Sequence, residues 1–268
     1  MLTIDREEIV TGLKIIGLQA GDHVLVHSSL SSLGSVVGGA ATVVQALLDV
    51  VTTSGTVLAP TLTGNAEIGC QSEVFFDEAR TQSWTGAIAE AVRTWPGAMR
   101  SLHPTHSVAA IGAGAERLTR GHLDCLTPCG EGSPYSHVAQ EPHGMILLLG
   151  CDHESNTTLH HVEELAGVPY HLQNTPVHAV ICADGQVHRR TFFAHQYGAA
   201  RRFAAIEALL LERGLQTQGE IGQATARLLP SGPSVRMALD LLRAAPDFFL
   251  GEASGITQED LKASSDRR

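Results

Sequence analysis

Basic residues are scarce in this chain. Its 18 Lys and Arg face 28 Asp and Glu, a formal net charge of −10 over 268 residues. Nucleic acid and anionic membrane surfaces call for a basic patch, so the balance argues against both and suits a cationic ligand. No apolar run approaches the ~18 residues of a spanning helix. The opening residues, MLTIDREEIV, carry acids where a secretory signal carries bases. Five cysteines (Cys70, Cys125, Cys129, Cys151 and Cys182) are odd in number and form no CxxC pair. Reduced thiols and a cytoplasmic protein are expected. GxGxxG and GxxxxGK[ST] phosphate loops are missing, as is a GxSxG nucleophile elbow. Neither a Rossmann site nor a P-loop is supported, and Ser28 or Ser29 beside His27 has no elbow to activate it.

What is present alternates between helix and strand patterns. Asp5 to Leu18 has Ile9, Val10, Leu13 and Ile16 near helical spacing, with Thr3 or Asp5 as cap. HVLVH ends at His27 and reads as a strand. A Ser/Gly-rich segment, SSLSSLGSVVGGA, follows it. Ala41 to Val51 predicts a helix and TVLAP a strand, while residues 61–80 have no clear period and read as a loop. Trp84 to Arg93 predicts a helix, SVAAIG a strand and residues 121–136 a loop. MILLLG, flanked by Gly144 and Gly150, reads as a buried central strand. VHAVICADG and QVHRRTFFA read as a hairpin turning at Asp184-Gly185. The rest reads as helix with short extended pieces, closing in a polar tail from about residue 262. This order predicts a layered α/β sandwich, a mostly buried central sheet flanked by helices. With no repeat or linker evident, residues 1–268 are expected to form a single domain.

The densest group of chemical side chains is NTTLHHVEE, residues 156–164, just after the buried strand. Residues three apart share a helix face. His160 pairs with Glu163 and His161 with Glu164 on faces about 100° apart, so one pair can look into a given pocket. A carboxylate beside an imidazole fixes its tautomer and raises its basicity, as a general base requires. His27 stands at a strand end, where active sites of layered α/β proteins lie. The Ser/Gly loop lets a ligand approach the backbone, whose N–H groups bind phosphate or carbonyl oxygen. In RSLHPTHS, Arg100 suits a phosphate, and Ser101 and Ser107 suit a polar cofactor arm. Cys125 and Cys129 have a spacing compatible with zinc, but no second pair matches them, and no metal is expected.

Taken in order, these segments resemble the antibiotic N-acetyltransferase family, the aminoglycoside 3-N-acetyltransferases. The matching pieces are VLVHSSLSSLG at 24–34, Gly38-Gly39, GTVLAPT at 55–61 and FFD at 75–77. RSLHPTHSVAAIG at 100–112, GSP at 132–134 and LLLGCDHESNTTLHHVEELAGVPY at 147–170 complete the set. The resemblance spans roughly residues 5–250. It implies the fold of that family rather than that of the GNAT acetyltransferases. It further implies acetyl-CoA as donor and the 3-amino group of a 2-deoxystreptamine ring, in a cationic aminoglycoside, as acceptor. By carry-over His160, Glu163 and His27 are catalytic. Ser28, Ser29, Leu30, Ser31, Ser35, Val37, Gly38, Arg100, Ser101 and Ser107 line the CoA cleft. Asp77, Glu154, Glu164 and His161 are expected to meet the acceptor, and the protein to be a monomer or homodimer. The sequence departs from the family at His161, where Leu or Tyr is usual, at Glu78 after Asp77, where Pro is usual, and in a short segment from Thr61 to Phe75.

Overall fold

The computed structural model describes residues 3–198 and 200–251; the tail expected from about residue 262 lies outside them. Two-residue β1 (Thr3–Ile4) leads into α1 (Arg6–Ile15). The start of α1 is a reciprocal box: Asp5 accepts the Glu8 N–H, and Glu8 accepts the Asp5 N–H. β2 (His23–Ser28), β3 (Ser35–Val36), α2 (Gly39–Val51), β4 (Thr56–Pro60), β5 (Glu73–Asp77) and α3 (Ala87–Arg93) follow. Next come β6 (Met99–Arg100), β7 (Val108–Gly112), α4 (Ala115–Thr119), α5 (Pro134–Gln140), β8 (Gly144–Leu149) and α6 (Thr158–Ala166). Hairpin β9 (Val177–Ala183) and β10 (Gln186–Phe192), α7 (Glu207–Glu212), hairpin β11 (Thr217–Ile221) and β12 (Ala224–Pro230), and α8 (Ser231–Ala244) complete the order. None of the described helices is long and apolar enough to cross a membrane.

Seven strands form the main sheet in the order β11-β12-β8-β2-β4-β7-β6. Its centre, β8-β2-β4, is parallel and its margins antiparallel. Successive side chains of a strand point to opposite faces, and the core divides accordingly. Val24, Val26, Leu147 and Leu149 pack with α1, α2 and α3 on one face. Ile146 and Leu148 meet α6 and α8 on the other, where Leu25 and Leu58 meet α4 and α5. This is the expected α/β sandwich, with β4 buried along its whole length.

Four local expectations are corrected. The loop at 61–80 contains β5, which joins β10-β9 in a separate three-stranded sheet. Only Phe76 of β5 is buried, so an edge strand left little apolar pattern to read. The loop at 121–136 runs into α5, capped by Ser133 with Pro134 in its first turn. The helix expected from Trp84 starts at Ala87. The segment after residue 200 includes the hairpin β11-β12, whose buried positions include Ala224 and Ala226, small residues that give a faint alternation.

The carboxyl ends of β8, β2 and β4 reach the same edge at Leu149, Ser28 and Pro60. In parallel sheets such ends are where ligands bind. Gly150 follows β8 in the left-handed conformation (φ 73°), and a Cβ there would sit 2.8 Å from Ser32 Cβ and 3.1 Å from Ser29 O. Glycine therefore lets the loops after β2 and β8 close over this edge.

Candidate active site

A cleft of about 1020 Å³ opens at that edge, at the upper end of the range for small-ligand pockets. One wall is the end of β2 and the loop after it, from His27 through Ser28, Ser29, Leu30 and Ser31. Its far end reaches Gly34, Val36 and Gly39, at the start of α2. Pro60, Trp84 and Thr85 continue the lining, Thr85 donating its hydroxyl to Pro60 O. Glu154, Asn156 and His160 also line the cleft, with His106, His171, His195 and Arg201.

Asn156 sets the start of α6. Its side-chain oxygen accepts the Thr158 N–H, and its amide donates to His153 Nδ1, whose Nε2–H donates to Gln216. One turn on, His160 faces the cleft with its side chain 27% exposed, while Glu163 behind it is fully buried. His160 Nδ1–H donates to Glu163 Oε2 at 2.8 Å, which leaves Nε2 as its proton-accepting nitrogen. Burial pushes the His160 ring below its ordinary 6.5, against the upward pull of Glu163. The ring is therefore neutral at physiological pH. Burial alone would raise the Glu163 carboxyl. Hydrogen bonds from His160 and His171 (Nδ1, 3.0 Å) outweigh it and hold the group well below the usual carboxylate range. Arg201 Nε–H donates to the other oxygen at 3.0 Å. That guanidinium lies 4.9 Å over the Tyr170 ring, whose OH donates to Pro246 O.

His161, one residue along, turns away from the cleft. Its Nδ1–H donates to Cys129 O at 2.6 Å, and Glu164 accepts the Cys129 N–H at 2.9 Å. The two together grip the backbone of one residue, Cys129, in the loop before α5 rather than pairing with each other. Glu164 also accepts Nε2–H of His195. His27 is buried at the cleft wall. Its Nε2 has no hydrogen-bond partner, and burial pushes the ring down to about 3, so it is neutral.

Two donor sets invite comparison with a metal centre. His160, His171 and His195 hold donor atoms within 4.8 Å of one another. Imidazole binds a metal in its ring plane, however, and the His160 and His171 rings are stacked at 5.1 Å and 16°. Their lone pairs run side by side rather than converging on a tetrahedral ion. In the other set, His106, Cys129 and His195, burial pushes the thiol well above its ordinary range, which favours a neutral core thiol over a thiolate ligand.

Residues 25–243 match the sequence profile of the aminoglycoside 3-N-acetyltransferases. The chain belongs to this family. It is 32% identical over 252 residues to aminoglycoside N(3)-acetyltransferase IV of a Salmonella species, covering 93% of this chain and 92% of that one. A solved structure of aminoglycoside acetyltransferase AAC(3)-IVa, a histidine-to-alanine variant in complex with a gentamicin, superposes with a TM-score of 0.80 at 30% identity, covering 99% of this chain and 98% of that one. The binary complex of AAC-IIIb with CoASH superposes at 0.78 and 27% identity, covering 94% and 99%. This chain is accordingly an acyltransferase with acetyl-CoA as co-substrate.

Several residues expected at the acetyltransferase site lie elsewhere. Arg100 is buried against β4 and β5. Its guanidinium donates to Glu78 O (2.9 Å), Thr81 O (2.7 Å), Thr61 O (3.2 Å) and Ser107 Oγ (3.0 Å), and lies over Phe76. It is a strut between the two sheets and does not line the cleft. Ser107 Oγ donates to Thr61 O, and Ser101 Oγ accepts the Val108 N–H and bonds His122. Ser35 pairs with Thr3 across β1-β3, and Val37 N–H donates to Ile4 O. Ser35, Val37 and the N-cap Gly38 thus sit one residue off the lining positions Gly34, Val36 and Gly39. Asp77 accepts the N–H groups of Ala79 and Arg80 in a turn, and neither it nor Glu164 nor His161 lines the cleft. Of the four groups expected at the acceptor, Glu154 alone does. Sequence reading missed His106, His171, His195 and Arg201. The histidines' only signal was their number, 14 in all, spread over segments that meet only in the fold, and Arg201 had none.

Proposed function

We propose that this chain transfers the acetyl group of acetyl-CoA directly to the 3-amino group of an aminoglycoside, with His160 as general base. The observation that carries the reading is the His160–Glu163 pair, with a neutral imidazole oriented by a carboxylate and facing a cleft at the carboxyl ends of parallel strands. Bound acetyl-CoA supplies the activated acetyl group. Its anionic phosphates suit the start of α2, where Gly38 contributes no side-chain cap and Gly39, in the first turn, lines the cleft. Ser28 to Ser31 flank the acyl end, with His27 as a neutral polar wall. An acceptor amine enters uncharged. As its nitrogen bonds to the acetyl carbonyl carbon, its proton passes to His160 Nε2, and Glu163 steadies the imidazolium that forms. The thioester C–S bond breaks, and the CoA sulfur leaves as the thiol with the proton from His160, which restores the neutral ring. Glu154, whose Oε1 accepts the Ala204 N–H, meets an ammonium of the acceptor. The overall negative charge draws a polycation toward the cleft, an effect that weakens as salt rises. Acting in the cytoplasm, such an enzyme confers aminoglycoside resistance.

A second reading, the same transfer to a simpler amine, is favoured by one observation. Among the described residues, Glu154 is the one carboxylate lining the cleft. Purified protein mixed with acetyl-CoA and an aminoglycoside panel including apramycin and gentamicin, with thiol release and product mass followed together, separates the readings. One acetyl group gained by a drug supports the first. Thiol release with simple amines alone supports the second. No transfer to any amine refutes both.

A further inference from the structure

Among the described residues, two buried carboxylates of the site face a single guanidinium. Glu163 and Glu164 are adjacent on α6, with side chains 0% and 3% exposed. Buried carboxylates need compensation, and Arg201 supplies one positive charge, to Glu163 Oε1. Glu164 receives only N–H groups, from Cys129 and His195, and its Oε2 is buried without a partner. Among the described residues, two carboxylates and one guanidinium meet in the site, and a proton on one imidazole of the cluster balances their charge.

Geometry selects the ring. His160 touches one of the carboxylates and opens to the cleft. His195 also touches one, and it packs against His106 at 4.4 Å and His171 at 4.1 Å. Burial and these neighbours push it well below its ordinary range. His171, 1% exposed, lies between both carboxylates: Nδ1 is 3.0 Å from Glu163 Oε2, and Nε2 is 3.8 Å from Glu164 Oε1 with no hydrogen-bond partner. Arg201 Nη2 approaches the same Nδ1 at 3.3 Å, but a ring nitrogen has one in-plane site, and the shorter contact to a carboxylate places a proton there. The groups facing His171 are thus His160, Glu163 and Glu164 from α6, His195 and Arg201 from the chain after β10, His106 from the segment before β7, and Tyr170 beside it.

We propose that His171 is a positioning residue: it carries the compensating proton between Glu163 and Glu164 and so keeps the stacked His160 ring neutral and able to act as the base. The two rings share one oxygen, Glu163 Oε2, and stack at 5.1 Å and 16°. A proton on both would place two imidazolium ions face to face. Burial opposes the charge on His171, yet its contacts with Glu163 and Glu164 outweigh burial and raise it above 6.5. The acidic pair therefore spends its surplus charge on His171, leaving His160 low.

The proposal rests on His160 being the base, and its test separates the two. His171→Asn removes the cation and His171→Arg keeps one. For each, the protonation midpoint of His160 is read from the imidazole resonance that disappears in His160→Ala, alongside the pH profile of kcat/KM. His171→Asn is expected to raise the His160 midpoint, and with it the acid limb of the profile, by about one unit or more, while His171→Arg leaves both near wild type. An unmoved or lowered midpoint in His171→Asn, or an equal loss at every pH in both variants, overturns it. If neither variant folds, ring 15N shifts of His171 in the wild-type protein decide: a protonated ring at neutral pH supports the proposal and a neutral one overturns it. The resonances need no acceptor, so a wild-type protein inactive on every amine contradicts the function while the titration still judges His171.

Discussion

Replacing Glu163 by Gln exchanges one oxygen for an NH2 group where both oxygens accept. Oε2 accepts hydrogen bonds from His160 at 2.8 Å and His171 at 3.0 Å, and Oε1 accepts one from Arg201 at 3.0 Å. A carboxamide can face either way. With its oxygen toward the imidazoles, its NH2 meets the Arg201 guanidinium, donor against donor. Reversed, its NH2 meets His160 Nδ1, which accepts only if the ring proton moves to Nε2. That tautomer has no lone pair for an incoming amine. Removing one partner of a buried charge pair costs about 3–5 kcal/mol. Arg201 is 12% exposed, and with water able to reach it we expect about 3 kcal/mol. Misorienting the base is expected to lower kcat about 10²- to 10⁴-fold. Denaturant unfolding measures the first quantity and steady-state transfer at saturating acetyl-CoA the second. A variant with wild-type kcat, or a loss no larger than its unfolded fraction, refutes the reasoning.

His161→Ala is expected to leave kcat near wild type while stability falls by about 1–3 kcal/mol, because the ring holds Cys129 O rather than the reacting groups; rates and unfolding curves on one preparation test it. Arg100→Met should lower the melting temperature and leave CoA affinity unchanged by calorimetry, since its donors serve carbonyls of the chain. Stability should fall between about pH 7 and pH 5. His27, His103, His106, His122 and His195 are pushed below 6.5 by burial, so the unfolded chain binds protons the native one refuses. Each contributes stability that is complete above about pH 6.5 and declines as pH falls, by up to about 1.4 kcal/mol per unit. Glu163, also depressed, adds to the loss below its ordinary 4.5. His171, raised, acts oppositely, its share fading as pH climbs through its folded value. Denaturant midpoints that do not change over this interval contradict the account.

The parallel centre of the sheet was readable because β2, β4 and β8 are short apolar runs between turn residues. The β9-β10 hairpin was readable because Asp184 and Gly185 both adopt positive φ, 49° and 72°, as their types allow. β5 was not, because a strand at the edge of a small sheet buries a single side chain, Phe76. In the site, three-residue spacing brought out His160 and Glu163 on local grounds. Spacing alone could not choose between that pair and His161 with Glu164, since the choice depends on which face of α6 meets the cleft, a matter of tertiary packing. Arg100 misled because a guanidinium that braces carbonyls and one that binds phosphate have the same sequence signature. The partners of Glu163 enter from residues 171 and 201, far along the chain, and no local pattern marks them.

The central claim, that His160 is the base, is tested most directly by His160→Ala in transfer and CoA-binding assays on one sample. The account predicts kcat lowered at least about 10²-fold with the CoA dissociation constant unchanged. Wild-type turnover in His160→Ala, or loss of turnover in His161→Ala alone, contradicts it.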